Sequence, residues 1–305
     1  MKLSVCMIVK NEEHCLARAL DSIKDLADEI VVVDTGSTDR TQEIAKEYTS
    51  HVYSYPWNDD FSAARNFSLS KATGDWILVL DADEVIAKED HSNVRHLLSQ
   101  EYIAYAFPQM SYTNDVSQFQ YTPFLAHDKI HQKYISYAHS FSGYISCHIV
   151  RLFRNHKNVH FVGAVHESVD ASCTAAGNIM KTDLWIHHYQ FERGTEALRA
   201  KQLHYLKIYL NHLDTYVNKA RAYRDIASIY YTHTIQYDKA IEFFTKSLAL
   251  NNKNKKTYLG LGLSYLKLNK HSDAYHVFED ALRVFPHDTQ LLHLKQMIHE
   301  RQKDL

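Results

Sequence analysis

The chain has 305 residues, 45% of them apolar, which is enough for a real core and about right for two domains. Its 34 basic and 36 acidic side chains leave a formal charge of −2, so bulk electrostatics attract neither nucleic acid nor anionic lipid. Four cysteines, Cys6, Cys15, Cys147 and Cys173, lack the paired spacing of a zinc knuckle or a disulfide frame and read as reduced thiols of a cytoplasmic protein.

Residues 3–9 are apolar over too short a stretch for a secretory leader and read as a first strand. Leu16, Leu20 and Ile23 mark one face of the helix that follows. Residues 30–33 form the next buried strand, which runs into Asp34-Thr35-Gly36-Ser37-Thr38-Asp39. There Gly36 permits a tight turn, and Asp39, with Gln42 three residues later, caps a helix through Tyr48. A third strand covers about 51–55. A helix starts near Asp59 and Asp60, runs through Arg65 and stops at Gly74, and residues 76–80 are the fourth strand. The alternation predicts an α/β domain with a mainly parallel sheet covered by helices on both faces. No apolar run approaches the roughly 20 residues that span a bilayer.

The fourth strand leads into Asp81-Ala82-Asp83-Glu84. Strand side chains recur on one face every second residue, so Asp81 and Asp83 are expected to point the same way with small Ala82 between them. Such a pair suits a hard divalent cation carrying phosphates; the plain alternative is an acidic turn. Ligands of parallel sheets bind beyond the carboxyl ends of the strands, where Asn11, Glu12, Asp34 and Asp81 all fall. A binding site is expected along that rim.

Three blocks in this order, Val9-Lys10-Asn11-Glu12, Val33-Asp34-Thr35-Gly36-Ser37-Thr38-Asp39 and Asp81-Ala82-Asp83, resemble a family 2 glycosyltransferase of the GT-A fold. The resemblance implies a nucleotide-sugar donor, most plausibly UDP-linked, held by Val9, Asn11, Glu12, Asp34, Arg65, Asp81 and Ala82. Asp34 would lie near the base or ribose. Asp83 would bind the Mn2+ or Mg2+ that bridges the diphosphate, and Asp81 would support the ribose or the metal. Thr35 departs from the pattern, since many members carry a second aspartate there. The block Asn58-Asp59-Asp60-Phe61-Ser62-Ala63-Ala64-Arg65-Asn66 resembles a bacterial branch whose members carry helical repeats after the catalytic domain. Without the family, Arg65 reads as a solvated helix-surface arginine. Further blocks are Val150-Arg151-Leu152-Phe153-Arg154, Phe161-Val162-Gly163-Ala164-Val165-His166-Glu167 and Trp185-Ile186-His187-His188-Tyr189, so the match covers about 1–195. The branch includes enzymes that modify envelope glycans and others that glycosylate cysteine or serine of bacteriocin peptides.

An inverting transfer needs charge neutralisation at the leaving diphosphate and a base for the acceptor's proton. Glu167 is the preferred base, with His166 as a metal or phosphate partner, because the chain must return to the crevice late in the domain. Adjacent strand residues face opposite ways, so only one of the two reaches the acceptor. A structural His-Glu pair at a sheet edge is the alternative. Glu84 is a lesser base candidate, and His187 and His188 pose the same alternation question. The aromatics between Tyr102 and Tyr144 read equally as a sugar or peptide platform and as core anchors.

After Gly194 the pattern is wholly helical. Residues 237–252 match 271–286 at a spacing of 34, pairing Ala240 with Ala274, Phe244 with Phe278 and Leu248 with Leu282. This resembles tetratricopeptide repeats, about two copies and a closing helix from about Thr289. The expected division is 1–194 for the transferase domain and 195–305 for the helical one. Two repeats offer an acceptor dock, a homodimer face or a buttress. Two other functions share some of these features: a nucleotidyltransferase on a similar sheet, and a non-catalytic repeat protein. The first would show a Gly-rich basic loop after the first strand, where Lys10-Asn11-Glu12-Glu13 contains no glycine.

Overall fold

The computed structural model describes residues 1–303 apart from 117–120, 126, 139, 157 and 217. The chain divides into two compact units, Met1–Thr195 and Glu196–Leu305.

In the first unit, β1 (Leu3–Val9), α1 (Leu16–Ile23), β2 (Glu29–Asp34), α2 (Thr41–Tyr48), β3 (Val52–Ser54), α3 (Phe61–Leu69) and β4 (Trp76–Val79) follow the expected alternation. The remaining elements are β5 (Glu84–Ile86), α4 (His91–Leu97), β6 (Ala104–Thr113), β7 (Thr122–Pro123), α5 (Lys129–Ala138), β8 (Gly143–Arg154), α6 (Asp170–Ala176), β9 (Ile179–Lys181) and β10 (Ile186–His188). The main sheet runs β3-β2-β1-β4-β8-β6-β10-β5. Its first four strands are parallel. Beyond them β8 returns antiparallel to β4 and β6, β10 lies parallel to β6, and β5 closes antiparallel to β10. The result is the Rossmann-like α/β sheet implied by the GT-A resemblance, mixed in its second half, with a helical unit after it.

Both faces of the parallel half are buried, which is why its strands read as unbroken apolar runs. Leu3, Val5 and Met7 of β1 pack with Leu16, Leu20 and Ile23 of α1, while Cys6 joins Val31, Val33, Ile77 and Val79 on the opposite face. Aromatics of 102–144 join a core with two later ones: Tyr112 and Tyr134 are buried together with Trp185 and Tyr189, with Phe124, Tyr137 and Tyr144 against them.

Two helix boundaries differ from expectation. The N-cap position of α2 is Arg40, which makes no side-chain cap; Asp39, one residue earlier, accepts from the Thr41 amide at 3.0 Å, and Gln42 reaches to Asp34. Helix α3 ends at Leu69, five residues before Gly74. Gly74 is required by close approach: its amide donates to Ser4 Oγ at 2.8 Å, and a Cβ there would lie 2.7 Å from that same oxygen.

The second unit is built of α7 (Gly194–His212), α8 (Lys219–Ile229), α9 (Tyr237–Leu250), α10 (Lys255–Lys267), α11 (His271–Val284) and α12 (Thr289–Lys303). Ala240, Ala274 and Phe278 are fully buried, and Phe244 nearly so. Ideal Cβ atoms on Gly260 and Gly262 would come within 2.2 Å of the Phe244 ring and 2.4 Å of the Phe278 ring. The glycines admit the rings that fill the helix pairs.

Candidate active site

Strands β1, β2 and β4 deliver their carboxyl ends to one edge. Asp34 ends β2 opposite Val9. Its Oδ1 accepts from the amides of Gly36 and Ser37, both at 3.0 Å, and from Gln42 Nε2 at 2.9 Å, while the buried Oδ2 has no hydrogen-bond partner. Gly36 takes φ 107°, which that tight turn requires. Thr35, the departure from the family pattern, bonds inward: its amide and hydroxyl both donate to the Val9 carbonyl, at 3.0 and 3.2 Å. Asn11, at φ 55°, accepts from the Thr38 amide at 2.8 Å, and its own amide donates to Ser37 Oγ at 2.9 Å. The Glu12 amide donates to Thr41 Oγ1 at 2.7 Å. These bonds tie the loop after β1 to the loop after β2.

The acidic block departs from its predicted geometry. Strand β4 ends at Val79, and Asp81 to Glu84 form a turn closed by the Glu84 amide donating to the Asp81 carbonyl at 3.0 Å. A turn rotates successive side chains where a strand alternates them, so Asp81 and Asp83 face different neighbours. Asp81 Oδ1 is paired with Arg65 Nη2, and Oδ2 with Arg151 Nη2 at 2.9 Å. Burial works against its charge, but the guanidiniums of Arg151 and Arg65 outweigh that and hold the carboxyl well below the usual range. With both oxygens engaged by arginine, Asp81 is not arranged as a metal ligand. Asp83, 6% exposed, instead has Oδ1 at 3.6 Å from His188 Nε2. His188 Nδ1 is hydrogen-bonded with Ser111 Oγ at 2.9 Å, and the Tyr189 amide donates to the Asp83 carbonyl at 3.0 Å. Ala82 is 4% exposed.

Glu84, the last residue of this turn, has no exposed surface. Its Oε2 accepts from the Asp81 amide at 2.9 Å, and its Oε1 accepts from Arg151 at 2.7 Å and from Gln109. Burial pushes its carboxyl up, against the pull of Arg151.

Helix α3 carries Arg65 into the cluster. Asp60 caps it by accepting from the Ala63 amide at 3.1 Å, which explains the acidic start of that block. Asn66 then binds the backbone of Phe161 in both directions, at 2.9 and 2.8 Å, and the Phe61 amide donates to the Ala164 carbonyl at 3.0 Å. These contacts dock the 161–168 loop on α3. The loop closes by reciprocal Val162–Ser168 backbone bonds, both 3.0 Å, and turns through Gly163 at φ 103° and His166 at φ 51°. Glu167 therefore points inward, its Oε1 accepting from Arg65 Nε at 3.1 Å, while His166 is exposed. The two residues lie in a left-handed turn, where the alternation of a strand does not apply.

Arg65 is 4% exposed, and its Nη1 has no hydrogen-bond partner. Arg151, which in sequence belongs to the Val150-Arg151-Leu152-Phe153-Arg154 block, joins Asp81 to Glu84 from β8, and its Nε is also unpartnered. The signal was an arginine interrupting the apolar run Val150-Leu152-Phe153. His188 is the other residue that sequence does not single out, because alternation alone separates it from His187 without saying which one faces the crevice. His187 is fully buried, stacked on Tyr137 at 4.3 Å between ring centroids, with Nδ1 2.5 Å from Tyr112 OH. Burial drives its pKa down to about 3.

A family model for glycosyl transferase family 2 matches residues 4–151, and a tetratricopeptide-repeat model matches residues 236–298. A TPR repeat-containing protein of Synechococcus elongatus is 39% identical over 174 residues, which cover 57% of this chain and 37% of that protein. An uncharacterized glycosyltransferase of Rickettsia felis is 31% identical over 54% of this chain and 59% of its own length. Glycosyltransferase SunS of Bacillus subtilis is 30% identical over 53% of this chain and 33% of its own. The matched segments thus span from a third to three fifths of these relatives. The structure of S. aureus TarS 1-349 in complex with UDP-GlcNAc aligns at 16% identity with a TM-score of 0.43, over 100% of this chain and 92% of that one. No helix among the described residues is long and apolar enough to cross a membrane. Residues 4–151 are a family 2 glycosyl transferase domain, and tetratricopeptide repeats follow it in the same chain.

Proposed function

We propose that this chain is a metal-dependent, inverting glycosyltransferase of the cytoplasm that moves a hexose from a UDP-linked sugar to a hydroxyl or thiol of a peptide or glycan acceptor. The observation that carries the reading is the Asp83–His188 pair, 3.6 Å apart at the edge where β1, β2 and β4 end. The carboxylate oxygen fits Mn2+ or Mg2+ as a donor type, and the imidazole nitrogen, oriented by Ser111, fits Mn2+. A bound cation would act as a Lewis acid on the departing diphosphate.

The other residues have complementary parts. Asp34 Oδ2 awaits a donor group, as the N–H of a pyrimidine base or a ribose hydroxyl supplies. Asn11, Glu12 and the Val9 carbonyl shape the loops beside it. Arg65 Nη1 is a spare charged donor for the sugar diphosphate. Asp81, and Glu84 behind it, hold Arg65 and Arg151 in place, while Ala82 keeps the turn small. Glu167 keeps Oε1 on Arg65 and offers Oε2 as the base; exposed His166 beside it is placed to meet acceptor or phosphate. In the transfer, the acceptor's O–H or S–H proton goes to Glu167, the oxygen or sulfur bonds to the anomeric carbon from the opposite face, and the anomeric C–O bond breaks with its electron pair leaving on the diphosphate. The four cysteines form no disulfide, which suits a reducing compartment.

The test is a panel of nucleotide sugars with manganese, read by melting temperature and by slow sugar hydrolysis. A UDP-hexose is expected to raise the melting temperature and be hydrolysed only with metal present. Stabilisation by a nucleoside triphosphate alone, with release of pyrophosphate, would instead favour nucleotidyl transfer.

A further inference from the structure

Strand β10 ends its ladder at His188, which pairs with Ser111 of β6 on one side and Glu84 of β5 on the other. Past that point the chain is held through Tyr189. Its amide donates to the Asp83 carbonyl at 3.0 Å, so the backbones carrying Asp83 and His188 are joined one residue beyond the imidazole. Its hydroxyl donates to the Tyr137 carbonyl at 2.9 Å. Its ring, 6% exposed, lies under Arg18 of α1, with the guanidinium carbon 3.9 Å from the ring centroid. The same guanidinium forks onto Glu192, Nη1 to Oε1 at 3.2 Å and Nη2 to Oε2 at 2.7 Å. Glu192 belongs to the single helical turn Gln190–Arg193 after β10, and its amide donates to the Tyr189 carbonyl at 3.0 Å. Arg18 therefore grips the segment that leaves His188 at two points three residues apart.

A planar guanidinium can stack on a ring and fork onto a carboxylate at the same time, which an ammonium cannot do. Attachment of α1 does not need this arrangement, since Leu16, Leu20 and Ile23 already bury the helix against β1 from its other face. Arg18 and Glu192 are both exposed, and bridges between exposed groups add little to stability. What the grip fixes is the direction of the chain beyond the ladder. We propose that Arg18 is a positioning residue for the Asp83–His188 pair: by holding Tyr189 and Glu192 it keeps the Tyr189 amide on the Asp83 carbonyl, and so sets the spacing of the carboxylate and the imidazole. The proposal rests on the reading of that pair as the metal site. Arg18 itself touches neither cation nor donor in this role, and acts only through the backbone of Tyr189.

Two measurements on the full chain test it. The first needs no metal: hydrogen exchange of the Tyr189 amide, followed by NMR, should quicken about three- to tenfold in Arg18→Ala, while the amides of β1 and the melting temperature stay as in the wild type. The second is a manganese titration at fixed UDP-hexose. Its midpoint should move about three- to tenfold higher in Arg18→Ala, less than the roughly 10–100-fold expected for a group bonded directly to a metal ligand, with kcat at saturating manganese unchanged. Arg18→Lys, which keeps a charge for Glu192 without the fork, should recover part of the shift. A wild type with no manganese response would overturn the metal reading and the proposal with it. A wild-type response with an unshifted Arg18→Ala midpoint, or an unchanged exchange rate at Tyr189, would overturn the proposal alone.

Discussion

Arg65 and Glu167 are 102 positions apart in sequence and meet through one 3.1 Å bond from Nε to Oε1. The same guanidinium holds Asp81 through Nη2, so one buried cation fixes both the turn after β4 and the loop that carries Glu167. Burial disfavours its charge, yet Asp81 and Glu167 more than offset that and raise its pKa. An arginine fork can hold two carboxylates at once because its N–H groups are rigidly spaced; a lysine ammonium cannot copy the geometry.

Arg65→Ala leaves Glu167 without its guanidinium and Asp81 with Arg151 alone, and removing one member of a buried pair costs about 3–5 kcal/mol. Urea unfolding should show a loss of that order, and Arg65→Lys a smaller loss with donor turnover still impaired. A lysine variant with full turnover would show that only charge, not the fork, is needed.

Glu167→Gln keeps the shape and the Arg65 contact through its amide oxygen but removes the proton acceptor. Sugar transfer is expected to drop about 10²–10⁴-fold. Donor-induced stabilisation should be retained. Transfer at the wild-type rate would remove Glu167 as the base.

Asp83 and His188 should act together on metal. Asp83→Asn is expected to abolish the manganese-dependent rise in melting temperature with donor, and His188→Gln to weaken metal affinity about 10–100-fold. A Ser111→Ala change, which frees His188 Nδ1, should weaken it less. The measurement is a manganese titration at fixed donor, and a His188 variant with an unshifted midpoint would take that residue out of the site.

What the sequence made legible follows from how local each feature is. Strands β1, β2 and β4 are buried on both faces, so their apolar runs and the intervening helical periods stand out, and Asp34 at the end of β2 could be placed from them. The antiparallel returns were less visible: β5 and β10 span three residues each, and β8 joins β4 to β6 only in the fold. Strand parity fails for Asp81 and Asp83 because nothing in Asp81-Ala82-Asp83-Glu84 announces that its backbone turns. Arg65, Arg151 and Glu167 come from α3, β8 and a loop, and their convergence on Asp81 is a property of sheet order that no local pattern encodes. In the repeats the reverse holds, since each copy packs on its neighbour and the spacing of 34 carries the packing.

Gly262→Ala tests that packing. The added Cβ would lie 2.4 Å from the Phe278 ring, which is fully buried and cannot swing away, so overpacking should cost about 1–3 kcal/mol. Combining it with Phe278→Leu should recover part of the loss relative to the sum of the single changes, read from melting curves. Strict additivity would mean that the two residues do not share the space.

His187 gives a pH dependence separate from catalysis. Burial lowers its pKa from an ordinary value near 6.5 to about 3 in the fold, so the unfolded chain binds the extra proton first. Its contribution to stability is complete above pH of about 6.5 and is lost as pH falls from there toward about 3. With one proton at stake, each pH unit inside that window is worth about 1.4 kcal/mol, or about 2 kcal/mol between pH 6.5 and 5. His187→Gln keeps a polar partner for Tyr112 OH and removes the titration, at the cost of some stacking on Tyr137. Urea unfolding of the two proteins at pH 7, 6 and 5 should therefore show their stability difference shrinking as the medium becomes more acidic. A difference that stays constant from pH 7 to 5 would mean that His187 is protonated equally in both states.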